Sequence, residues 1–323
     1  MENELFNTDT RIAIVVPYYN ASAQIVNVIS KIPAFVDAVI IVDDKSKEDL
    51  PKSRIMDEIN DKTKCHFLEN EVNLGVGGAT KKGFEYALEN DFEIIVKVDA
   101  DDQMDLGFLP TLIQPLLNGE AAMAKGNRFR NTKALQSMPI PRKFGNLVLS
   151  FLTKMATGYW HNFDPTNGFI ALKAEVLKKL DFSKLANRYY FETSLLAELY
   201  FQKTLIKDID MPAIYGDEKS NMSLSKMVFV FLGNLQLTFF KRILKEYFLY
   251  DFNIGSIYIF FGVPLFSFGM VFGIIKWVHY AKINVLAPTG TIMIITLSII
   301  LGFQLILQAI QYDIFNAPNG NAR

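Results

Sequence analysis

Short apolar runs alternate with amphipathic stretches through residues 11–211. Runs at 11–16, 38–42, 64–68, 93–98, 121–125, 169–172 and 204–209 read as strands, with helical stretches near 22–31, 52–60, 77–90 and 106–117. Strand–helix–strand alternation predicts an α/β fold: a mainly parallel sheet with helices on both faces. In such sheets ligands bind at the carboxyl ends of strands, where the strand order reverses. Three polar clusters fall at such ends, at 17–20, Asp43-Asp44 and 99–103, and their convergence predicts one site.

The pattern changes toward the C-terminus. Residues 252–275 and 283–312 carry no Asp, Glu, Lys or Arg, and each exceeds the roughly 20 residues a membrane span needs. Lys276 to Lys282 read as the loop between two spans, with Trp277 and Tyr280 as interfacial aromatics. Before them, Leu235, Phe239, Arg242 and Glu246 show a face turning from apolar to charged, which predicts an amphipathic interfacial helix. Lys241, Arg242 and Lys245 form a basic edge that predicts a cytoplasmic side, with both ends of the hairpin there. Gly269 and Gly273 permit close helix approach, and Gln304, Gln308 and Gln311 share a face fit for hydrogen bonding within the hairpin or in a homo-oligomer. The expected divisions are a cytoplasmic catalytic domain at 1–222, a juxtamembrane segment at 223–251, a transmembrane hairpin at 252–312 and a tail at 313–323.

Charge and cysteine usage narrow the class. Thirty-three basic and 34 acidic residues nearly balance in 323, with no basic patch, which argues against nucleic acid as a partner. One cysteine, Cys65, excludes an internal disulfide and fits a reducing compartment. The first ten residues are polar and acidic and do not read as a signal peptide.

The chemistry centres on Asp99-Ala100-Asp101-Asp102-Gln103 after Ile94-Ile95-Val96. Carboxylates in Asp-x-Asp spacing offer hard oxygen ligands to Mg²⁺ or Mn²⁺ beside a diphosphate. On a strand, alternation would turn Asp99, Asp101 and Gln103 to one side and Asp102 away. Val15-Val16-Pro17-Tyr18-Tyr19-Asn20 offers Tyr19 to stack on a base or ribose. Asp44, in Val42-Asp43-Asp44-Lys45-Ser46, is placed to accept hydrogen bonds from a nucleoside. Asn73-Leu74-Gly75-Val76-Gly77-Gly78-Ala79 has the wrong spacing for a dinucleotide fingerprint and reads as backbone passing close to a nucleotide. Arg128 and Arg142 supply cations for phosphates. Asp164-Pro165-Thr166-Asn167-Gly168-Phe169 delivers a carboxylate before a strand, and Glu192 and Lys219 add charges further on.

In this order the motifs resemble the family 2 glycosyltransferases of GT-A fold, and within them the dolichyl- or polyprenyl-phosphate glycosyltransferases with a C-terminal membrane hairpin. The resemblance implies that Pro17, Tyr19, Val42 and Asp44 hold the nucleoside, and that Asp99, Ala100, Asp101 and Gln103 hold metal and diphosphate, the metal ligands being Asp99, Asp101 and Gln103. It implies that Arg128 meets the donor, that Arg142 with Lys219 meets the lipid phosphate, and that Asp164 lines the acceptor side. Asp101, Asp164 and Arg128 are then the expected catalytic residues. The pattern departs at Ala21, where relatives often carry Glu, at Asn167 for a frequent Ser, and at Ser194. The expected reaction is metal-dependent, inverting transfer of a sugar from a UDP- or GDP-sugar to a polyprenyl phosphate by an integral membrane protein. A sugar hydroxyl as acceptor would need a base, for which Asp164 or Glu192 are candidates. A dehydrogenase and a non-catalytic nucleotide-sugar-binding protein are the other readings.

Overall fold

The computed structural model describes residues 10–60, 63–128, 140–212 and 224–320. Seven strands form one sheet: β1 Ile12–Tyr18, β2 Ala38–Asp43, β3 Lys64–Glu69, β4 Ile94–Lys97, β5 Met123–Asn127, β6 Ile170–Lys173 and β7 Ile206–Asp210, in the order β3-β2-β1-β4-β6-β5-β7. β6 alone runs antiparallel, against both β4 and β5. All seven expected runs are strands, and the sheet is mainly parallel as the alternation requires.

Side chains on β1 are apolar on both faces because helices cover both. Ile12, Ile14, Val16 and Tyr18 of β1 pack with α1 (Ile25–Ser30) and α4 (Leu109–Leu117). Ala13 and Val15 pack on the opposite face with α3 (Val76–Glu89) and α7 (Phe191–Phe201). Between lie α2 (Lys52–Glu58), α5 (Ile140–Thr157) and α6 (Ala174–Leu177). Neither α5 nor α7 was expected. Pro141 opens α5, and proline is tolerated in a first turn because its missing N–H has no partner there. Eight of the eleven residues of α7 are buried, so it has no polar face to give a helical period.

The described residues divide into two compact units at Thr238, with the tail from Pro318 rejoining the first. The division falls inside α8 (Leu224–Leu244), which is followed by one wide turn, Lys245–Leu249. In the second unit two helices, α9 (Ile254–Lys282) and α10 (Thr289–Phe315), are long and apolar enough to cross a membrane. Asn253 caps α9 by accepting hydrogen bonds from the Gly255 and Ser256 amides, while Ser256 Oγ accepts from Asn253 N. Residues 276–282 belong to α9 and the turn is only 283–288, because a long side chain such as Lys276 can reach water without ending the helix. The two helices touch closely. A Cβ on Gly302 would stand 2.4 Å from Phe266 N, and one on Gly269 would stand 2.9 Å from Ile299 N.

Arg242 was expected on a wet, basic face, but it is buried. Its guanidinium donates to both Asp313 oxygens at 2.7 and 2.9 Å, and Tyr247 donates its hydroxyl to Asp313 at 2.7 Å. Asp313 sits on α10, which extends into the expected tail. The two partners are 71 positions apart, so nothing local marks them.

Removing one member of a buried ion pair costs about 3–5 kcal/mol, whereas replacing both can be neutral. Arg242→Met is expected to lower the melting temperature of the full chain in detergent, and Arg242→Met with Asp313→Leu is expected to recover most of the loss.

Candidate active site

Parallel pairing sets the loops after β1, β2 and β4 on one edge. Tyr18 lies opposite Asp43, and Val15 opposite Lys97. Strand order reverses at β1, between β2 and β4, the position where open α/β sheets bind ligands.

The loops after β1 and β2 are tied together. Asp44 N donates to Tyr18 O at 2.9 Å, Asn20 N to Ser46 Oγ at 3.0 Å, and Lys47 N to Asn20 Oδ1 at 2.8 Å. Asp44 is buried. Its Oδ1 accepts from Asn70 Nδ2 at 2.8 Å and Leu74 N at 2.9 Å, and its Oδ2 accepts from Gly75 N at 2.6 Å. The carboxylate therefore fastens the glycine loop while facing a cavity of about 190 Å³, which Pro17, Tyr19, Asn73, Gly75, Arg188 and Tyr189 also line. Tyr19 is 46% exposed, with its ring available to a ligand. Val42 is fully buried in the core and does not line the cavity.

The glycine loop lines the cavity and also packs closely against a second segment. Gly75 has φ +89°, and a Cβ there would stand 2.8 Å from Asn187 O; a Cβ on Gly77 would stand 2.4 Å from Ala186 O. Gly78 N donates to Asn187 O at 2.9 Å. These glycines admit the segment leading into α7, which brings Arg188 and Tyr189 to the cavity.

The acidic motif also departs from its expected geometry. β4 ends at Lys97, and 99–103 form a turn, so strand alternation does not orient them. Asp101 Oδ1 accepts from Gln103 N at 3.1 Å, closing that turn. Ala100 is buried in the core. Asp102 has φ +56° and is bound away from the motif: Lys31 Nζ reaches its two oxygens at 2.6 and 2.8 Å, and Asn27 also donates to it. Asp99 and Asp101 remain partly exposed. A Cβ on Gly168 would stand 2.5 Å from Asp99 Oδ2, so the glycine keeps that oxygen clear.

Among the described residues no three His, Cys, Asp or Glu side chains converge as a metal cage. Two carboxylates completed by substrate phosphates and water is the usual donor set for Mg²⁺, and Asp99 with Asp101 fits it.

Two buried lysines organise the rest. Lys97 on β4 contacts Asp99 Oδ1 at 2.5 Å and Glu192 Oε1 at 3.2 Å. Burial alone would push Lys97 down, but the two carboxylates outweigh it and hold the ammonium above its ordinary range. Burial pushes Glu192 up against the pull of Lys97. On β5, Lys125 donates to the carbonyls of Phe163 and Asp164, the latter at 2.9 Å, and lies 3.5 Å from Asp208 Oδ1. Asp208 in turn accepts from Asn162 Nδ2 at 2.9 Å and Phe163 N at 2.7 Å, holding the 162–168 turn.

That turn presents Asp164, fully buried, to Arg128. Arg128 Nε donates to Asp164 Oδ2 at 2.7 Å and Nη2 donates to Oδ1 at 2.9 Å; Asn167 Nδ2 adds a bond at 3.2 Å. Burial pushes the Asp164 carboxyl up, but Arg128 and Lys125 overcome this and hold it below the usual carboxylate range. Asp164 thus sets the direction of a half-exposed Arg128. Arg142 lies in the first turn of α5, with its side chain outside the described residues, and Lys219 lies outside them altogether. Sequence reasoning passed over Lys97, although a lone charge in Ile94-Ile95-Val96-Lys97-Val98 is a visible signal, and also Asn70 and Asp208, which no local pattern marks.

A mainly parallel sheet with a cavity after β1 and β2 and an Asp-x-Asp turn after β4 is the GT-A-like arrangement, and residues 13–181 match the model of glycosyl transferase family 2. The chain belongs to this family and is a glycosyltransferase. Among its relatives, the UDP-N-acetylglucosamine–dolichyl-phosphate N-acetylglucosaminyltransferase of Methanococcus voltae is 33% identical over 223 residues, which cover 65% of this chain and 88% of that protein. The dolichol-phosphate mannosyltransferase of Pyrococcus furiosus is 22% identical over 211 residues, covering 64% and 56%. In fold, the chain is similar to the Mycobacterium tuberculosis glucosyl-3-phosphoglycerate synthase solved with Mg²⁺ and UDP, with TM-score 0.55 and 19% identity over 75% of this chain and 83% of that one.

Gly168→Ala is expected to displace the tips of Asp99 and Lys97, to lower the melting temperature because the Lys97 ammonium is buried among its partners, and to lower turnover about tenfold or more, since roughly 1 Å of misplacement is costly at a reacting centre. Asp164, with its folded value depressed, stabilises the protein above the ordinary aspartate range near about 3.9, and that stability is lost as pH falls through the folded value. Asp164→Asn should therefore lower stability toward denaturant at pH 7 and lower it less as the solution is made more acidic.

Proposed function

We propose that this glycosyltransferase moves a sugar from a UDP- or GDP-sugar to a polyprenyl phosphate at a membrane surface, with inversion and with Mg²⁺ or Mn²⁺. The observation that carries the choice of acceptor is the state of Asp164. Both its oxygens are taken by Arg128, and its carboxyl is held below the usual range, which makes it a poor proton acceptor. A phosphate monoester is already anionic and needs no such base, only cations to orient it. Arg128, directed by Asp164, and Arg142 at the start of α5 are assigned to phosphates, Lys219 with Arg142 to those of the acceptor.

The donor nucleoside is assigned to the cavity between Tyr19, Asp44 and Arg188. Asp99, Asp101 and Gln103 would hold the divalent cation; when bound, it supplies positive charge to the leaving diphosphate. The polyprenyl phosphates named in the relatives agree with this acceptor. So do the candidate membrane helices, and so do Leu147, Val148 and Phe151, which α5 leaves exposed after Arg142. The catalytic unit is assigned to the cytoplasmic side, with Lys241 and Lys245 preceding the hairpin.

One observation favours a sugar hydroxyl as acceptor instead: burial raises Glu192, as suits a base. Against it, Lys97 holds one Glu192 oxygen at 3.2 Å. Membranes containing the full chain, supplied with radiolabelled UDP- or GDP-sugars and polyprenyl phosphate, are expected to yield lipid-extractable label labile to mild acid; an extended glycan would overturn the lipid acceptor. Asp101→Ala and EDTA are each expected to abolish transfer, with Mg²⁺ or Mn²⁺ reversing only the chelator. Undiminished turnover in Asp101→Ala would sink the metal assignment.

A further inference from the structure

Lys97 is fully buried in an otherwise apolar strand, where a methionine would fill the same space without the cost of desolvating an ammonium. It nonetheless meets three oxygens from three parts of the fold. They are Asp99 Oδ1 at the tip of β4, Glu192 Oε1 at the start of α7 and Gly168 O, at 3.5 Å, in the turn after Asp164. An ammonium has three protons to donate, so these contacts use its full capacity. Its stem cannot wander, because the whole side chain is packed out of contact with solvent.

The consequence falls on Asp99. One of its oxygens is gripped from inside the sheet, while the side chain as a whole is 29% exposed. The other oxygen, Oδ2, lies beside Gly168, where no Cβ intrudes. A carboxylate held by one oxygen and open at the other is how partners behind a metal ligand fix its orientation. The charges also match: Asp99, Asp101 and Glu192 with Lys97 leave two net negatives for one divalent cation.

We propose that Lys97 is a positioning residue for the donor's metal: steadied by Glu192 and Gly168, it grips Asp99 so that Asp99 Oδ2 faces the cation. This rests on the metal assignment made above. It makes Glu192 part of the same device, as the anchor of Lys97.

The test is Mn²⁺ uptake by the full chain in detergent with UDP present, read from the electron paramagnetic resonance of free Mn²⁺. Lys97→Met with Glu192→Gln keeps the net charge of the cluster while removing the grip, so a change in affinity reports position and not field. The double variant, and Lys97→Met alone if it folds, are expected to bind Mn²⁺ about tenfold or more weakly, the usual effect of losing such a partner. A folded double variant that binds within about twofold of wild type overturns the proposal while leaving the metal assignment intact. A wild-type chain that takes up no Mn²⁺ overturns both.

Discussion

The parallel pairing of β1 with β2 on one side and β4 on the other is the constraint from which the site follows. The chain steps from β1 to β2 and β3 on one side and then crosses back to β4 on the other, so the loops after β1, β2 and β4 share one edge. Register then decides which residues meet. With Tyr18 opposite Asp43 and Val15 opposite Lys97, Asp44 and Asp99 stand at the same rim. A slip of one residue would turn every side chain of a strand to the other face, and the two cores on either side of β1 hold against that.

At this rim acidity is sorted by partner and by depth. Asp44 is spent on backbone amides of the glycine loop, Asp102 on Lys31 and Asn27, and Asp164 on Arg128. Those bonds shape loops and aim a guanidinium. Asp99 and Asp101 keep exposed surface as well as their own partners. The same Asp-Pro-Thr-Asn-Gly turn serves both groups, since Asp164 at its start directs Arg128 and Gly168 at its end keeps Asp99 clear.

The strands were legible because a buried parallel strand is an unbroken apolar run, and the site was legible because strand ends are where polar motifs collect. Local pattern failed where tertiary structure supplied the missing half. α7 is apolar all round and reads as no amphipathic helix; residues 276–282 carry enough charge to look like a loop although they are helical. Arg242 looked wet because Asp313 is remote in sequence. The glycines near residue 75 signalled a close approach, but nothing local pointed to the segment at Ala186 and Asn187 that they also admit. Alternation was the wrong rule for Asp99 and Asp101 because the strand stops two residues earlier.

The unbroken course of α9 has a mechanical consequence. Its 29 residues extend roughly 43 Å at 1.5 Å per residue, and the 27 of α10 roughly 40 Å, against a hydrocarbon layer about 30 Å thick. In a bilayer such a pair must lean or stand proud into the headgroups, with Trp277 and Tyr280 near one boundary. A bilayer crossed by such a pair would act on it through its thickness.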